Sequence, residues 1–234
     1  MAHTIAHRTR RFYDNISAVY PLSTYFFHSK AHKVALEQAG IQNGMKVLEV
    51  ASGTGEMFQQ LVELNPDGST VGVDISPNMA AYTLKRARKA APGVMAHCGA
   101  VDVRDLPFRD ESFDAVMCCY LLELLGRDDI PRTLREIQRV LRPGGKFTLI
   151  LIGQNSKRFR QAYEVGCRIL PAFWGRLVES TIPEMMRQHG MVLTGDQFVR
   201  QGFYPSRVVT GEMRAVATVG AGGSRKSNKA RRSA

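Results

Sequence analysis

The 234-residue chain is predicted to fold as an α/β domain, a parallel sheet with helices on both faces. Three observations predict it. Val47-Leu48-Glu49-Val50 is apolar and β-prone, runs into the small-residue turn Ala51-Ser52-Gly53-Thr54-Gly55, and gives way to a helical pattern at Glu56-Met57. Thr70-Val71-Gly72-Val73-Asp74-Ile75 reads as a second buried strand ending in an acid. Strand-like segments then keep alternating with helix-length segments, which requires crossover connections and parallel neighbours.

The first two observations carry chemistry. Gly53 and Gly55, helped by the small Ala51 and Ser52, let the backbone turn sharply and approach a ligand closely. Asp74 lies nineteen residues after Gly55, which suits a carboxylate at the tip of the second strand that accepts from both hydroxyls of a ribose. Strand, glycine turn, helix, strand and acid together form a nucleoside-binding half of an α/β fold.

Element by element, strands are expected near 46–51, 70–74, 94–98, 113–119 and 146–152, and helices near 56–64, 77–90 and 129–141. The helix at 77 starts with Ser76 as N-cap and Pro77 at its first position. Residues 1–40 read as helical, ending at a C-cap glycine, Gly40. Leu141-Arg142-Pro143-Gly144-Gly145 is expected to end a helix and reverse the chain into the fifth strand. Residues 156–170 read as a basic amphipathic helix, followed by a bulky turn bearing Phe173 and Trp174. Thr181 and Pro183 open a short helix that Gly190 closes. Two strands, 191–201 and 207–219, join through Gly202-Phe203-Tyr204-Pro205. Three units result: a helical cap at 1–40, a main domain at 41–219 with a lid or substrate segment at 153–190, and a basic, disordered tail at 220–234.

The composition, 44% hydrophobic and 23% charged, is that of an ordinary globular domain. The apolar runs are shorter than the roughly 20 residues a membrane span requires, and residues 1–11 lack the apolar core of a secretory signal. The four cysteines, Cys98, Cys118, Cys119 and Cys167, include no CxxC pair and read as small buried hydrophobes in a reducing compartment. The histidines include no HExxH, so no metal is expected. The formal net charge is +11. Arg225, Lys226, Lys229, Arg231 and Arg232 account for less than half of it, so the body is basic too. Either the chain is drawn to an anionic surface, lipid or nucleic acid, or the tail only aids solubility.

Three further segments, Asp102-Val103-Arg104-Asp105-Leu106-Pro107-Phe108, Ser112-Phe113-Asp114-Ala115-Val116-Met117 and Leu141-Arg142-Pro143-Gly144-Gly145-Lys146-Phe147, follow the glycine turn and Asp74 in order. Taken together they resemble the class I S-adenosylmethionine (SAM) dependent methyltransferases, and within them the branch of UbiE-like quinone-biosynthesis enzymes and phospholipid N-methyltransferases. The resemblance covers roughly residues 10 to 150. It implies a Rossmann-like, seven-stranded, mostly parallel sheet with an antiparallel final strand, SAM as cofactor, S-adenosylhomocysteine as product, and no metal.

The resemblance also implies roles. Glu49 orders the glycine loop and, through it or water, the methionine end of SAM; the backbone of Ala51, Ser52 and Gly53 passes against the cofactor, beside Gly55. The family usually has glycine where this chain has Ala51. Asp74 grips the ribose, and Ile75 and Met79 pack on the adenine. Asp102 accepts from the adenine amino group, Val103 N–H donates to the ring, and Cys119 lies where main-chain carbonyls line the methionine pocket. Asp102 has an alternative reading as a turn cap. Phe12-Tyr13-Asp14 and Tyr20 match the N-terminal pattern that closes over the cofactor. Tyr20 is a candidate for the cofactor's cationic end, and Tyr13 and His28 for the acceptor site, or these rings simply dock the helix on the sheet. Glu123 is either a proton acceptor near the reacting centre or a solvent-facing acid at a helix start. Tyr20, Glu123 and His28 are the candidate catalytic side chains; none is an assured general base.

The expected function is methylation of a small-molecule or lipid-like acceptor, either a prenylated quinone precursor on carbon or a phospholipid head-group amine on nitrogen. The basic body, the helix at 156–170 and Phe173-Trp174 suit a cytoplasmic enzyme that leans on a membrane, or else form only a lid. Nucleic-acid or soluble-metabolite methylation is the alternative. For nucleic acid the chain lacks an Asn-Pro-Pro-Tyr-type motif and a Pro-Cys nucleophile, and charge alone supports only non-specific binding. A SAM-binding scaffold without catalysis is the non-enzymatic reading.

Overall fold

The computed structural model describes residues 20–153, 157–169, 176–202 and 204–214. Along the chain they form α1 (Tyr20–Gln38), β1 (Lys46–Val50), α2 (Glu56–Leu64), β2 (Ser69–Asp74), α3 (Pro77–Ala90), β3 (Ala96–Ala100), β4 (Phe113–Cys119), a short 3-10 turn (Leu122–Leu124), α4 (Asp129–Val140), β5 (Leu141–Ile152), α5 (Lys157–Ile169), α6 (Ile182–Gln188), β6 (Met191–Gln201) and β7 (Tyr204–Met213).

One seven-stranded sheet runs β3-β2-β1-β4-β5-β7-β6. β1 to β5 are parallel, and β7 is antiparallel to both β5 and β6. The last strand is thus inserted between its two partners and leaves β6 at the edge. From β1 the chain builds outward through β2 and β3, then returns to lay β4 on the other side of β1. That reversal is the topological switch point, where an open α/β sheet leaves a crevice outside the carboxyl ends of its strands.

Burial along β1 shows why the sheet is covered on both faces. Val47 joins Ala31 and Ala35 of α1, and Ala39 just past its end, in one buried cluster. Leu48 and Val50, pointing the other way, join Leu134, Ile137 and Val140 of α4 in another. The four-residue spacing of the α1 alanines gives that helix a smooth stripe with which to lie close on the sheet. At its end Lys146 Nζ donates to Gly40 O at 3.0 Å, a cation on the carbonyl end of a helix.

Several boundaries differ from expectation for identifiable reasons. β5 begins at Leu141, not 146, because Leu141 already pairs with Phe113. The next pair in register is Ala115 with Lys146, so the Pro-Gly-Gly segment is looped out of the ladder as a bulge. The turn is structural, as its composition implies. Ser76 caps α3, its Oγ accepting from Met79 N–H at 3.2 Å. Thr181 does not cap α6 through its side chain; its hydroxyl donates back to Val178 O at 2.9 Å. The final strand spans 204–213, starting before the expected 207, and the expected continuation at 215–219 lies outside the described residues. The expected segments 1–19, 154–156, 170–175 and the tail from 220 lie outside the described residues. Among the described residues no helix is long and apolar enough to cross a membrane.

Candidate functional site

The turn after β1 is held from three sides. Ser52 N–H donates to Val73 O at 3.0 Å, and Gly55 N–H to Ser52 O at 2.9 Å. From α3, Thr83 Oγ1 donates to Gly53 O at 2.8 Å. From β2, Asp74 Oδ2 accepts Gly53 N–H and Oδ1 accepts Ser76 N–H, each at 2.9 Å. Asp74 is therefore a structural tie between the glycine turn and the start of α3, only 8% exposed. Two oxygens offer about four acceptor positions, and these two amides take one on each.

Ala51 (φ 59), Gly53 (φ 53) and Gly55 (φ 75) are all left-handed. For Ala51 this costs roughly 1–2 kcal/mol, strain of the kind that clusters at ligand sites. Gly55 serves packing. A Cβ there would sit 2.9 Å from Thr83 Cα, so glycine is what lets the start of α2 press on α3.

A cavity opens over this turn at the carboxyl ends of β1, β2 and β4. Glu49, Ala51, Ser52, Gly53, Asp74, Ile75, Met79, Asp102, Val103 and Cys119 all line it, and so does His28. Gly55 does not, because it faces Thr83. The side chain of Tyr20, and Tyr13, Phe173 and Trp174 altogether, lie outside the described residues.

Glu49 is the electrostatic oddity of this wall. It is 2% exposed and its Oε2 has no hydrogen-bond partner. Burial, and next the charge of Asp74, push its carboxyl well above the usual range. A buried carboxylate oxygen without a partner, in the wall of a cavity, fits a cationic ligand. SAM carries both an ammonium and a sulfonium.

At the β3 side, Asp102 makes the turn cap that its sequence allowed. Its Oδ1 accepts Arg104 N–H at 3.0 Å and Nε at 2.9 Å, and its Oδ2 accepts Nη2 at 2.6 Å. These hydrogen bonds hold the Asp102 carboxyl below its ordinary value. Arg104, which sequence reasoning passed over, also lines the cavity.

At the β5 side, α1 contributes His28 and His32. The His28 ring stacks on Tyr120 at 4.2 Å and 28°, with Tyr204 5.0 Å away. Burial, aided by His32, lowers His28 to about 3, and burial lowers His32 to about 4. Both imidazoles are neutral near pH 7. Tyr120, also unforeseen, has φ 52, and its hydroxyl shares a 2.7 Å hydrogen bond with Ser206. The signal for it was position alone: it follows Cys119 at the tip of β4. Burial holds the Cys119 thiol well above its ordinary value, so it is an inert, apolar part of the wall.

Glu123 fits neither expectation. It is 1% exposed and does not line the cavity. Its Oε1 accepts Ile152 N–H at 2.6 Å, clipping the 3-10 turn to the end of β5. Burial raises it to about 7. Neither solvent nor the cavity reaches this acid, because the apolar neighbours Leu121, Leu124 and Leu125 take the cavity wall.

Residues 47–145 match the family described as methyltransferase domain. The demethylmenaquinone methyltransferase of Symbiobacterium thermophilum is 34% identical over 131 residues, 56% of this chain and 51% of that protein. The chain thus spans about half the length of this relative. The 2-phytyl-1,4-naphtoquinone methyltransferase of Trichormus variabilis is 30% identical over 157 residues, 64% of this chain and 68% of that protein. Among solved structures, the N-methyltransferase NodS of Bradyrhizobium japonicum, in complex with S-adenosyl-l-homocysteine, superposes with a TM-score of 0.70 over 88% of this chain and 98% of that one, at 14% identity. Sheet order, glycine turn, Asp74 and these matches agree: the chain belongs to the class I SAM-dependent methyltransferases, in their UbiE-like branch.

Proposed function

We propose that this methyltransferase acts on a prenylated hydroquinone-type ring, methylating it on carbon. The observation that carries this reading is the neutral aromatic wall of His28 and Tyr120 on the β5 side of the cavity, with Tyr204 packed against His28 behind it. Flat, uncharged rings stack favourably on such a surface, whereas a cationic head-group amine would call for charge there. The names of the two relatives, both methyltransferases of naphthoquinone-type compounds, support the same acceptor.

In this reading Asp74, Asp102 and Val103 hold the nucleoside of SAM and Glu49 faces its cationic end. Bound SAM supplies an electrophilic methyl group. The chain's task is then alignment and exclusion of water. Neutral His28 and His32 can accept a hydrogen bond from an acceptor hydroxyl and orient the ring. With pKa values of about 3 and 4, they are too weak to remove a phenolic proton outright. The nucleophilic carbon draws its reactivity from the ring's own hydroxyls, and the ring C–H proton is lost once the new bond has formed. A water-insoluble acceptor, the net charge of +11 and the amphipathic α5 together favour peripheral contact with an anionic membrane.

The test is transfer of labelled methyl from SAM by the purified protein to three acceptors in parallel: a prenylated 1,4-naphthoquinol lacking its ring methyl, phosphatidylethanolamine vesicles, and total RNA. Label on the naphthoquinol ring carbon is expected. Label on phosphatidylethanolamine nitrogen or on RNA, with none on the quinol, refutes the proposal.

A further inference from the structure

We infer that Arg104 is a cofactor-positioning residue, whose guanidinium joins two walls of the cavity and fixes the Asp102 carboxylate for the purine amino group of SAM. The inference rests on reading this cavity as the SAM site, and deepens that reading at one end of it.

The geometry is specific. Arg104 is 13% exposed in its side chain. Nε and Nη2 form a fork on Asp102, at 2.9 Å to Oδ1 and 2.6 Å to Oδ2. Nη1 reaches across to Asp129 Oδ1 at 3.2 Å. Asp102 belongs to the segment after β3, whereas Asp129 opens α4 at the end of the segment after β4, and both acids line the cavity. One side chain therefore ties two independent loops together at the cavity.

The fork also decides how Asp102 can bind anything else. A carboxylate offers about four acceptor positions. Oδ1 is used twice, by the Arg104 amide and Nε. Oδ2 takes Nη2 as its principal donor, with a longer branch of Nε at 3.1 Å. All four are thus touched, but the longest is a branch of an N–H that Oδ1 already holds more closely, so on Oδ2 one N–H of an exocyclic amine can take its place while the fork stays intact. Asp102 is 37% exposed in its side chain, so without the fork it would sample several rotamers and meet the purine in the right one only part of the time. Lysine, a single-point donor, cannot reproduce a bidentate grip. The arrangement also selects: a purine with a keto group in place of the amine brings an acceptor to an acceptor, which the site rejects.

The experiment measures the dissociation constants of S-adenosylhomocysteine and of S-inosylhomocysteine, its deaminated counterpart, by calorimetry. The proteins are the wild type, Arg104→Lys, Arg104→Met and, from the other end of the bridge, Asp129→Asn. Wild type is expected to prefer the adenosyl compound. In both Arg104 variants its Kd is expected to rise about ten-fold, about 1.4 kcal/mol, while the inosyl compound changes little, so the preference collapses. Asp129→Asn is expected to shift the preference the same way by a smaller factor. A merely structural role would weaken both ligands alike or lower only the melting temperature; an unchanged ratio in the Arg104 variants therefore overturns the inference. A wild type that binds S-adenosylhomocysteine without any preference also overturns it. A wild type that binds neither compound instead removes the cofactor reading on which it stands.

Discussion

Glu123→Gln isolates the cost of a buried charge far from solvent. In the wild type the acid ionises at about 7, against an ordinary 4.5, because burial opposes the charge. Its surroundings offer little relief. Glu179 adds like charge, the Cys118 thiol beside it stays protonated, and Oε2 has no partner. The folded state thus binds this proton more tightly than the unfolded chain does. Stability is full below pH 4.5, is lost as pH rises through 7, and is flat beyond. Each pH unit between the two values is worth about 1.4 kcal/mol, so the whole loss is about 3 kcal/mol, most of which falls between pH 5 and pH 8.5. Glutamine keeps an oxygen for Ile152 N–H and carries no ionisable proton. Urea unfolding at pH 5 should therefore find the two proteins similar. At pH 8.5 the variant should gain about 2–3 kcal/mol relative to wild type, or about 5–10 °C in melting temperature for a chain of this size. Titrations of groups that do not face Glu123 cancel in the comparison. A stability difference that is equal at the two pH values would refute the reasoning.

Four more outcomes follow from the geometry. Gly55→Ala places a methyl 2.9 Å from Thr83 Cα at φ 75 and should cost about 2–5 kcal/mol by urea unfolding, from the left-handed penalty and overpacking together; an unmoved midpoint would contradict the packing role. Asp74→Ala strips the acceptor from Gly53 and Ser76 N–H and should weaken SAM binding at least tenfold in calorimetry, whereas an unchanged Kd ends the ribose assignment. Ala51→Gly relieves a positive φ but loosens the unfolded chain, so stability should stay within about 1 kcal/mol and SAM should bind as well or better; a larger loss would mean the Ala51 methyl makes a contact of its own. Deleting residues 224–234 removes Arg225, Lys226, Lys229, Arg231 and Arg232 and should reduce sedimentation with anionic vesicles, most at low salt; equal sedimentation excludes the tail from membrane contact.

The parts legible in the sequence were those written in backbone chemistry. The glycine turn and Ser76-Pro77 each demand a local conformation, so β1 and α3 could be placed from composition, whereas the Pro-Gly-Gly segment proved to interrupt β5 as a bulge instead of preceding it. The same logic brought Glu49, Asp74 and Asp102 to one set of strand tips. Arg104, Tyr120 and His32 were missed because their importance is tertiary. Arg104 matters through Asp129, twenty-five positions away, and Tyr120 through Ser206, eighty-six away; no local pattern announces either pairing. Glu123 misled for the opposite reason. An acid that interrupts a leucine run suggests solvent or chemistry, while its actual partner is a backbone amide at the end of a neighbouring strand. Gly55 shows a motif residue whose place in the turn was evident but whose contact, a threonine on the next helix, was not.

Glu49 gives the cavity a proton ledger of its own. Sealed beneath the glycine turn next to Asp74, this acid holds its proton more tightly than an ordinary carboxyl does, because burial and the neighbouring charge oppose its ionised form. A positive ligand that settles against its unpartnered oxygen favours the charged form, so wherever the acid still holds its proton the cation enters as the proton leaves. Association is then an exchange between two cations at one buried oxygen. Its apparent strength rises as the medium grows more alkaline, and its measured heat carries the protonation enthalpy of whatever buffer receives the released ion.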